Sequence, residues 1–128
     1  MPSKKILIAD DDMDLLEQLE TFLVSSDFSV TAVSCEKDAR EQIEKNNYDL
    51  AIYDLMMENQ DSGFVLSHLT KNKNSETPVI LMTSVTRETG FEFDLITKGQ
   101  KTWIKVDAIL QKDIRFEQLK SEIKKLLK

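Results

Sequence analysis

The sequence predicts an α/β fold in which a doubly wound, five-stranded parallel sheet carries helices on both faces. Short, almost wholly apolar segments alternate along the chain with longer segments whose apolar residues recur at helical spacing. Continuous apolar runs are typical of strands buried on both faces, and parallel strands need crossover connections such as helices. Four of the five runs lead into an acid, a threonine or a lysine. Because ligands bind at the carboxyl ends of parallel strands, these residues predict a functional edge.

The strands are predicted from the apolar runs. We expect the first strand at Lys5 to Ala9, the core of the third at Leu50 to Tyr53 and the fourth at Pro78 to Met82. Ala108 to Gln111 is expected to be the last strand. Phe28 to Val33 alternates apolar and polar residues, which indicates a shorter second strand at an edge of the sheet.

The first two helices follow from apolar residues three and four positions apart. At the start of the first helix, Asp12 or Asp14 can accept hydrogen bonds from free amides and favour the helix dipole. Ser34 is expected to cap a second helix that runs from about Cys35 to Lys45. The predicted buried residues are Leu15, Leu16, Leu19, Phe22 and Leu23 in the first helix, and Ala39 and Ile43 in the second.

The remaining helices differ in how clearly their apolar spacing predicts them. A third helix is expected at Phe64 to Lys71 and a final helix at about Arg115 to Leu127. Between them, Thr86 to Val106 is poorly patterned, and we expect one helix within Arg87 to Thr97. The predicted buried residues are Phe64, Val65, Leu66 and Leu69 in the third helix, and Phe116, Leu119, Ile123, Leu126 and Leu127 in the last.

Composition narrows the classes of function. The 128 residues, of which 41% are hydrophobic and 31% charged, predict one soluble globular domain, residues 1–128, with no separate output domain. We expect no signal peptide and no membrane span. The lone Cys35 fits a reducing, cytoplasmic compartment. A net charge of −6 argues against direct binding of nucleic acid.

The residues at the predicted functional edge have the chemistry of phosphoryl transfer. Asp10 and Asp11 follow the first strand and Asp54 ends the third. Like charges held close together raise a pKa or recruit a cation, and Mg²⁺ binds through one or two carboxylates while it keeps waters that a phosphate can replace. Thr83 adds a hydroxyl and Lys112 a compact positive charge. An aspartate can accept a phosphoryl group covalently.

These motifs resemble those of response-regulator receiver domains, and the resemblance covers essentially the whole chain. It implies that Asp54 accepts a phosphoryl group, that Asp11 and Asp54 bind Mg²⁺ directly, and that Asp10 does so through water. It also implies that the backbone carbonyl of Met56 completes the protein ligands. The matching segments are residues 6–11, 48–57, 78–83 and 109–112.

The same resemblance implies a role for the other edge residues and for partners. Thr83 resembles the switch hydroxyl, and Lys112 resembles the lysine that pairs with the phosphoryl group. The phosphoryl donor would be a sensor histidine kinase or a phosphotransfer protein, and residues 84–114 would contact a downstream protein. Such a protein is not an enzyme beyond slow dephosphorylation of itself.

Several positions depart from the family pattern. Glu58 stands soon after the acceptor, where the family usually has proline, and Ile109 stands where many relatives have tyrosine or phenylalanine. Asp113 replaces the proline that usually supports a cis bond after the lysine, so we expect a trans Lys112–Asp113 bond. The segment between Thr83 and Lys112 is several residues longer than usual.

These departures leave alternatives open. The first is an interaction module that keeps the receiver fold but acts without phosphorylation. A minor alternative is a small phosphatase similar to haloacid dehalogenases, because Asp10 and Asp12 follow an apolar strand. Asp14 stands where that motif has threonine or valine. His68 is the only histidine, and we expect it to be an exposed surface residue.

Overall fold

The sheet has five parallel strands, as predicted. The computed structural model describes residues 3–57, 61–84 and 106–127. The strands lie in the order β2-β1-β3-β4-β5, so that β2 forms an edge as expected. Their bounds are β1 Lys5–Ala9, β2 Ser29–Val33, β3 Leu50–Asp54, β4 Val79–Thr83 and β5 Ala108–Gln111.

Four helices connect or follow the strands in the described ranges. They differ from the predicted helices by one or two residues at most ends, which is the usual uncertainty of helix boundaries. The helix expected within Arg87 to Thr97 lies outside the described residues. The bounds are α1 Met13–Ser25, α2 Glu36–Lys45, α3 Ser62–Lys73 and α4 Phe116–Leu126.

The predicted caps were confirmed for one helix and wrong for another. The Asp12 side chain accepts a hydrogen bond of 3.2 Å from the backbone amide of Leu15 at the start of α1. Ser34 does not cap α2. The N-cap residue is Cys35, whose backbone is extended and whose side chain makes no capping hydrogen bond. The first residue of α2 is therefore Glu36, one residue later than a cap at Ser34 would give.

Each face of the sheet has its own apolar core. Alternate residues of a strand point to opposite faces. Ile6 and Ile8 of β1 accordingly belong to a core with α1 and α4, whereas Leu7 and Ala9 belong to a core with Ala39 of α2 and with α3. Every residue of β3 and β4 is buried. The parallel register brings the carboxyl ends of β1, β3, β4 and β5 to one edge.

The buried side of α3 differs from the prediction. Leu66 is buried as expected, but Phe64, Val65 and Leu69 are only partly buried. Small residues cover the sheet instead, because α3 lies very close to the backbone after β3. The fully buried hydroxyls form hydrogen bonds, so their burial is not costly. The buried residues of α3 are Ser62, Gly63, Leu66, Ser67 and Thr70.

Three smaller expectations can be compared with the described residues. His68 is exposed, as predicted. The Lys112–Asp113 bond is trans, since the described chain contains no cis peptide bond. Within the described ranges, none of the helices has the length and apolar character needed to cross a membrane.

Candidate functional site

Asp54 occupies the centre of the functional edge. It is the last residue of β3, between β1 and β4, and only 4% of its surface is exposed. Its Oδ1 accepts a hydrogen bond of 3.3 Å from the backbone amide of Met56. Its buried Oδ2 has no hydrogen-bond partner among the described residues. A buried carboxylate oxygen without a donor is costly, and it is a suitable position for a ligand.

The predicted acidic cluster forms around Asp54. Asp10 is 2% exposed, and its Oδ1 accepts a hydrogen bond of 2.9 Å from the backbone amide of Asp12. This local turn fixes the Asp10 side chain at the end of β1. Asp11 is exposed to solvent. One carboxylate oxygen from each of Asp10, Asp11 and Asp54 lies within 4.8 Å of the other two.

Lys112 brings the positive charge to this cluster. Its Nζ lies 3.0 Å from Oδ2 of Asp54 and 3.3 Å from both carboxylate oxygens of Asp10. The contact with Asp54 is a buried ion pair, with the Asp54 side chain 4% and the Lys112 side chain 18% exposed. The backbone amide of Lys112 donates a 2.9 Å hydrogen bond to the carbonyl of Thr83, so the end of β5 is fixed to the end of β4.

Burial and charge oppose each other in this site. The pKa of Asp54 is raised to about 7, because burial and the charge of Asp10 together outweigh the Lys112 ammonium, which lowers it. Burial alone would lower the pKa of Lys112, but the contacts with Asp54 and Asp10 outweigh burial and raise it. Lys112 therefore remains charged at neutral pH, while Asp54 is close to the midpoint of its titration.

Thr83 is the fourth component that the sequence predicts. It ends β4, is 5% exposed, and pairs in the sheet with Gln111. Together with Lys112 it lines a cavity of about 510 Å³ that opens onto the functional edge. The predicted components are therefore brought together by the fold.

Comparison with known proteins identifies the fold family. The model of the response regulator receiver domain matches residues 6–124. This chain belongs to that family. The predicted family and fold class are both confirmed.

Solved receiver structures superpose on almost the full length of the chain. A response regulator receiver protein from Sinorhizobium medicae WSM419 has a TM-score of 0.80 at 23% identity and covers 98% of this chain and 94% of its own. The Thermotoga maritima protein TrrA, solved in complex with Mg²⁺-BeF, has a TM-score of 0.79 at 24% identity, with 97% and 99% coverage. The Francisella response regulator 1452 receiver domain has a TM-score of 0.77 at 27% identity, with 98% and 97% coverage.

Curated relatives are longer regulators. The transcriptional regulatory protein RprY of Bacteroides fragilis is 30% identical over 118 residues, which are 84% of this chain and 50% of that protein. The regulatory protein VanR of Enterococcus faecium is 33% identical over 81 residues, or 63% of this chain and 34% of that protein. The receiver chain thus spans half or less of the length of these relatives.

The residues of this receiver fit a hard divalent cation. The cluster offers carboxylate oxygens, which are the ligands that Mg²⁺ prefers, and one of them is buried without a donor. The predicted ligand role of the Met56 carbonyl stays a prediction. The amide of that residue is fixed to Asp54, and its side chain is 40% exposed.

Gly63 supports the backbone beside Asp54, a role that was not recognised in the sequence. A Cβ atom at this position would lie 2.7 Å from the Cα of Leu55 and 2.8 Å from the carbonyl oxygen of Asp54. The amide of Gly63 donates a 2.9 Å hydrogen bond to the carbonyl of Leu55. The first turn of α3 thus fixes the backbone of Asp54 and Leu55. The available signal was a glycine directly before the predicted start of the third helix, where close approach of two backbones is one of its few uses.

Proposed function

We propose that this receiver is a phosphorylation-dependent signalling switch. It accepts a phosphoryl group on Asp54 from a sensor histidine kinase or a phosphotransfer protein, with Mg²⁺ as the cofactor. The observation that carries this proposal is the buried Oδ2 of Asp54, which has no hydrogen-bond partner but lies 3.0 Å from the Lys112 ammonium. Asp10 and Asp11 supply further oxygens within 4.8 Å.

The transfer joins one carboxylate oxygen of Asp54 to phosphorus. As this P–O bond forms, the P–N bond of a donor phosphohistidine breaks, and its electron pair returns to the imidazole nitrogen. Lys112 balances negative charge on the phosphoryl oxygens, and the Thr83 hydroxyl can donate to one of them. Asp10, Asp11 and Asp54 would hold Mg²⁺, which would supply further positive charge to the reacting phosphoryl group. The chain positions these groups and needs no further nucleophile.

The proposed partners and location follow from this chemistry. Output is a protein contact through residues 84–114, of which residues 84 and 106–114 belong to the described chain. We place the protein in the cytoplasm and expect neither direct binding of nucleic acid nor membrane insertion. Apart from slow hydrolysis of its own phosphoaspartate, the chain is not an enzyme.

One observation supports the alternative of a module that acts without phosphorylation. Ile109 is partly buried against the core that contains Tyr53 and Leu81, so this branched side chain is held by packing at the position where relatives carry an aromatic switch. The receiver family match gives no support to the minor alternative of a phosphatase similar to haloacid dehalogenases.

The test is intact-protein mass spectrometry after incubation with Mg²⁺ and a high concentration of acetyl phosphate. The wild type should gain the mass of one phosphoryl group, and Asp54→Asn should gain none. Labelling of the wild type should disappear when EDTA removes the metal. Asp11→Asn should bind Mg²⁺ about tenfold or more weakly in isothermal titration calorimetry, since it removes one ligand of the cluster.

Asp38→Asn provides a control with the same change of charge. Asp38 is an exposed acid in the first turn of α2, and the variant should label like the wild type. Equal labelling of wild type and Asp54→Asn would overturn the assignment of the acceptor. Absence of labelling with every donor would support the constitutive module instead.

A further inference from the structure

Two methionines of the described residues are open to solvent, and one of them lies beside Asp54. Met13 is 62% exposed and Met56 is 40% exposed. Met82, in contrast, is 2% exposed, and Met57 packs partly buried against the core. An oxidant in solution reaches an exposed thioether before a buried one. We therefore expect Met13 and Met56 to be oxidised to sulfoxides before the other two.

The backbone of Met56 connects this residue to the functional edge. Its amide donates a 3.3 Å hydrogen bond to Oδ1 of Asp54. The side chain of Met56 therefore begins one hydrogen bond away from the carboxylate that would carry the phosphoryl group. Met13 is the first residue of α1 and has no such bond to Asp54 within the described ranges. A chemical change at Met56 is thus placed where it can act on Asp54.

Oxidation changes how this side chain interacts with water. A thioether sulfur is a weak hydrogen-bond acceptor, whereas a sulfoxide is polar and its oxygen accepts readily. With hydrogen peroxide as the oxidant, a sulfur lone pair attacks one peroxide oxygen. The S–O bond forms as the O–O bond breaks, the second oxygen leaves as water after proton transfer, and sulfur loses the two electrons that the peroxide gains. Since Met56 is exposed, the added oxygen needs no space in the core.

We propose that Met56 is an oxidation site whose sulfoxide shortens the lifetime of the phosphoaspartate. Hydrolysis needs a water held in line with the phosphorus, and the sulfoxide oxygen accepts a hydrogen bond from such a water beside Asp54. A methionine sulfoxide reductase, with a dithiol as reductant, restores the thioether and with it the slow hydrolysis. This inference rests on the proposed function, since it concerns the phosphoryl group on Asp54.

The experiment measures the half-life of the phosphoprotein with and without mild treatment by hydrogen peroxide. After the peroxide is removed, peptide mass spectrometry locates the added oxygen, and the protein is labelled with acetyl phosphate at saturating Mg²⁺. Once the donor is removed, the half-life of the oxidised wild type should be severalfold shorter than that of the untreated protein. Oxidised Met13→Leu should show the same shortening. Oxidised Met56→Leu should show none, because leucine has no sulfur to oxidise.

Reduction separates the effect of Met56 from that of Cys35, a free and partly buried thiol. A dithiol alone reverses sulfenic acid and disulfide formation at cysteine but leaves the sulfoxide, so the long half-life should return only when the reductase is also added. No added oxygen at Met56, an unchanged half-life of the oxidised wild type, or equal shortening in Met56→Leu would overturn the inference while labelling persists. If no donor labels the untreated wild type, the proposed function fails, and the inference fails with it.

Discussion

The Lys112 ammonium lies 3.0 Å from Oδ2 of Asp54, and this buried ion pair joins the end of β5 to the end of β3. Removing two charges from water costs free energy that their attraction recovers only in part. Burial accordingly remains the largest influence on Asp54 and raises its pKa to about 7. A site that holds Asp54 in this way gives up stability, and under the proposed function it keeps the carboxylate ready for a cation and a phosphoryl group.

The first prediction is that Asp54→Asn stabilises the fold in a pH-dependent way. Since the pKa of Asp54 is about 7 in the folded protein and 3.8 ordinarily, the folded state binds this proton more tightly than the unfolded state does. Ionisation therefore lowers the free energy of unfolding as pH rises from about 4 to about 7. Without divalent ions, the variant should be more stable by about 1–4 kcal/mol at pH 8 and nearly equal at pH 4.

Urea denaturation at the two pH values measures this difference. Excess Mg²⁺ at pH 8 should raise the stability of the wild type more than that of the variant, because the ion favours the carboxylate. An equal gain for Asp54→Asn at pH 4 and pH 8 would show that the ionised carboxylate is not what costs the stability.

The second prediction concerns Gly63. In Gly63→Ala, the added methyl group would meet the Cα of Leu55 at 2.7 Å and the carbonyl oxygen of Asp54 at 2.8 Å. Backbone atoms cannot move aside as a flexible side chain does, so α3 must shift away from β3. We expect a loss of about 1–3 kcal/mol in the free energy of unfolding and slower labelling of Asp54.

Asn72→Ala is a suitable control, because Asn72 is an exposed residue of the same helix. Its effect should be within about 0.5 kcal/mol, as for most surface substitutions. A Gly63→Ala protein as stable as this control, with unchanged labelling, would contradict the close packing of α3 on the acceptor backbone.

The third prediction concerns the lifetime of the phosphoaspartate. Hydrolysis needs a water held in line with the phosphorus, and polar side chains near the site can hold it. Two residues after the acceptor stands Met56, whose 40% exposed side chain cannot donate a hydrogen bond. Two residues after Thr83 stands Val85, which lies outside the described residues and is equally apolar. We expect slow self-dephosphorylation.

Met56→Asn/Val85→Glu tests this expectation. The half-life of the isolated phosphoprotein, followed by mass spectrometry after removal of the donor, should fall severalfold in the double variant. Met56→Leu/Val85→Ile keeps both positions apolar and should decay like the wild type. Equal decay of all three proteins would show that these positions do not control the water.

The sheet and most of the site could be predicted because their signals are local in the sequence. An apolar run such as Ile6 to Ala9 identifies a central strand, and a carboxylate directly after it must lie at the carboxyl edge. The chemical types of Asp54, Thr83 and Lys112 then suggest the proposed reaction without knowledge of any distance. What the sequence does not contain is the balance of burial and charge that sets the pKa of Asp54.

The prediction failed where packing distance overrides the apolar pattern. In α3, the positions of Phe64 and Leu69 suggested the buried side, but the close approach to the backbone after β3 at Gly63 leaves room for no side chain there. The Ser67 hydroxyl donates a 2.7 Å hydrogen bond to the carbonyl of Gly63, and the Thr70 hydroxyl donates a 2.8 Å hydrogen bond to the carbonyl of Leu66. A serine or threonine that hydrogen-bonds to a carbonyl of its own helix can therefore be buried, and a search for apolar residues at helical spacing does not find it.

The proposed route of output begins at the end of β4. The carbonyl of Thr83 accepts a 2.9 Å hydrogen bond from the amide of Lys112, and the carbonyl of Met82 accepts a 2.8 Å bond from the amide of Leu55. Movement of the Thr83 hydroxyl toward a phosphoryl group would thus act on a backbone that is tied to both neighbouring strands. Ile109 pairs with Leu81 in the sheet and has no polar end to follow such a movement.

The last prediction is that the backbone, and not a side-chain rotation at residue 109, transmits phosphorylation. A modification shifts a conformational equilibrium only through contacts that differ between the two states, and the hydroxyl of Thr83 supplies that contact. Amide hydrogen exchange with and without Mg²⁺ and beryllofluoride should show changed protection concentrated in residues 83–112. The change should disappear in Thr83→Ala and persist in Thr83→Ser, which keeps the hydroxyl, and in Ile109→Val, which keeps a branched apolar side chain. If protection changes elsewhere, or if Thr83→Ala behaves like the wild type, the receiver is better explained as a module that acts without phosphorylation.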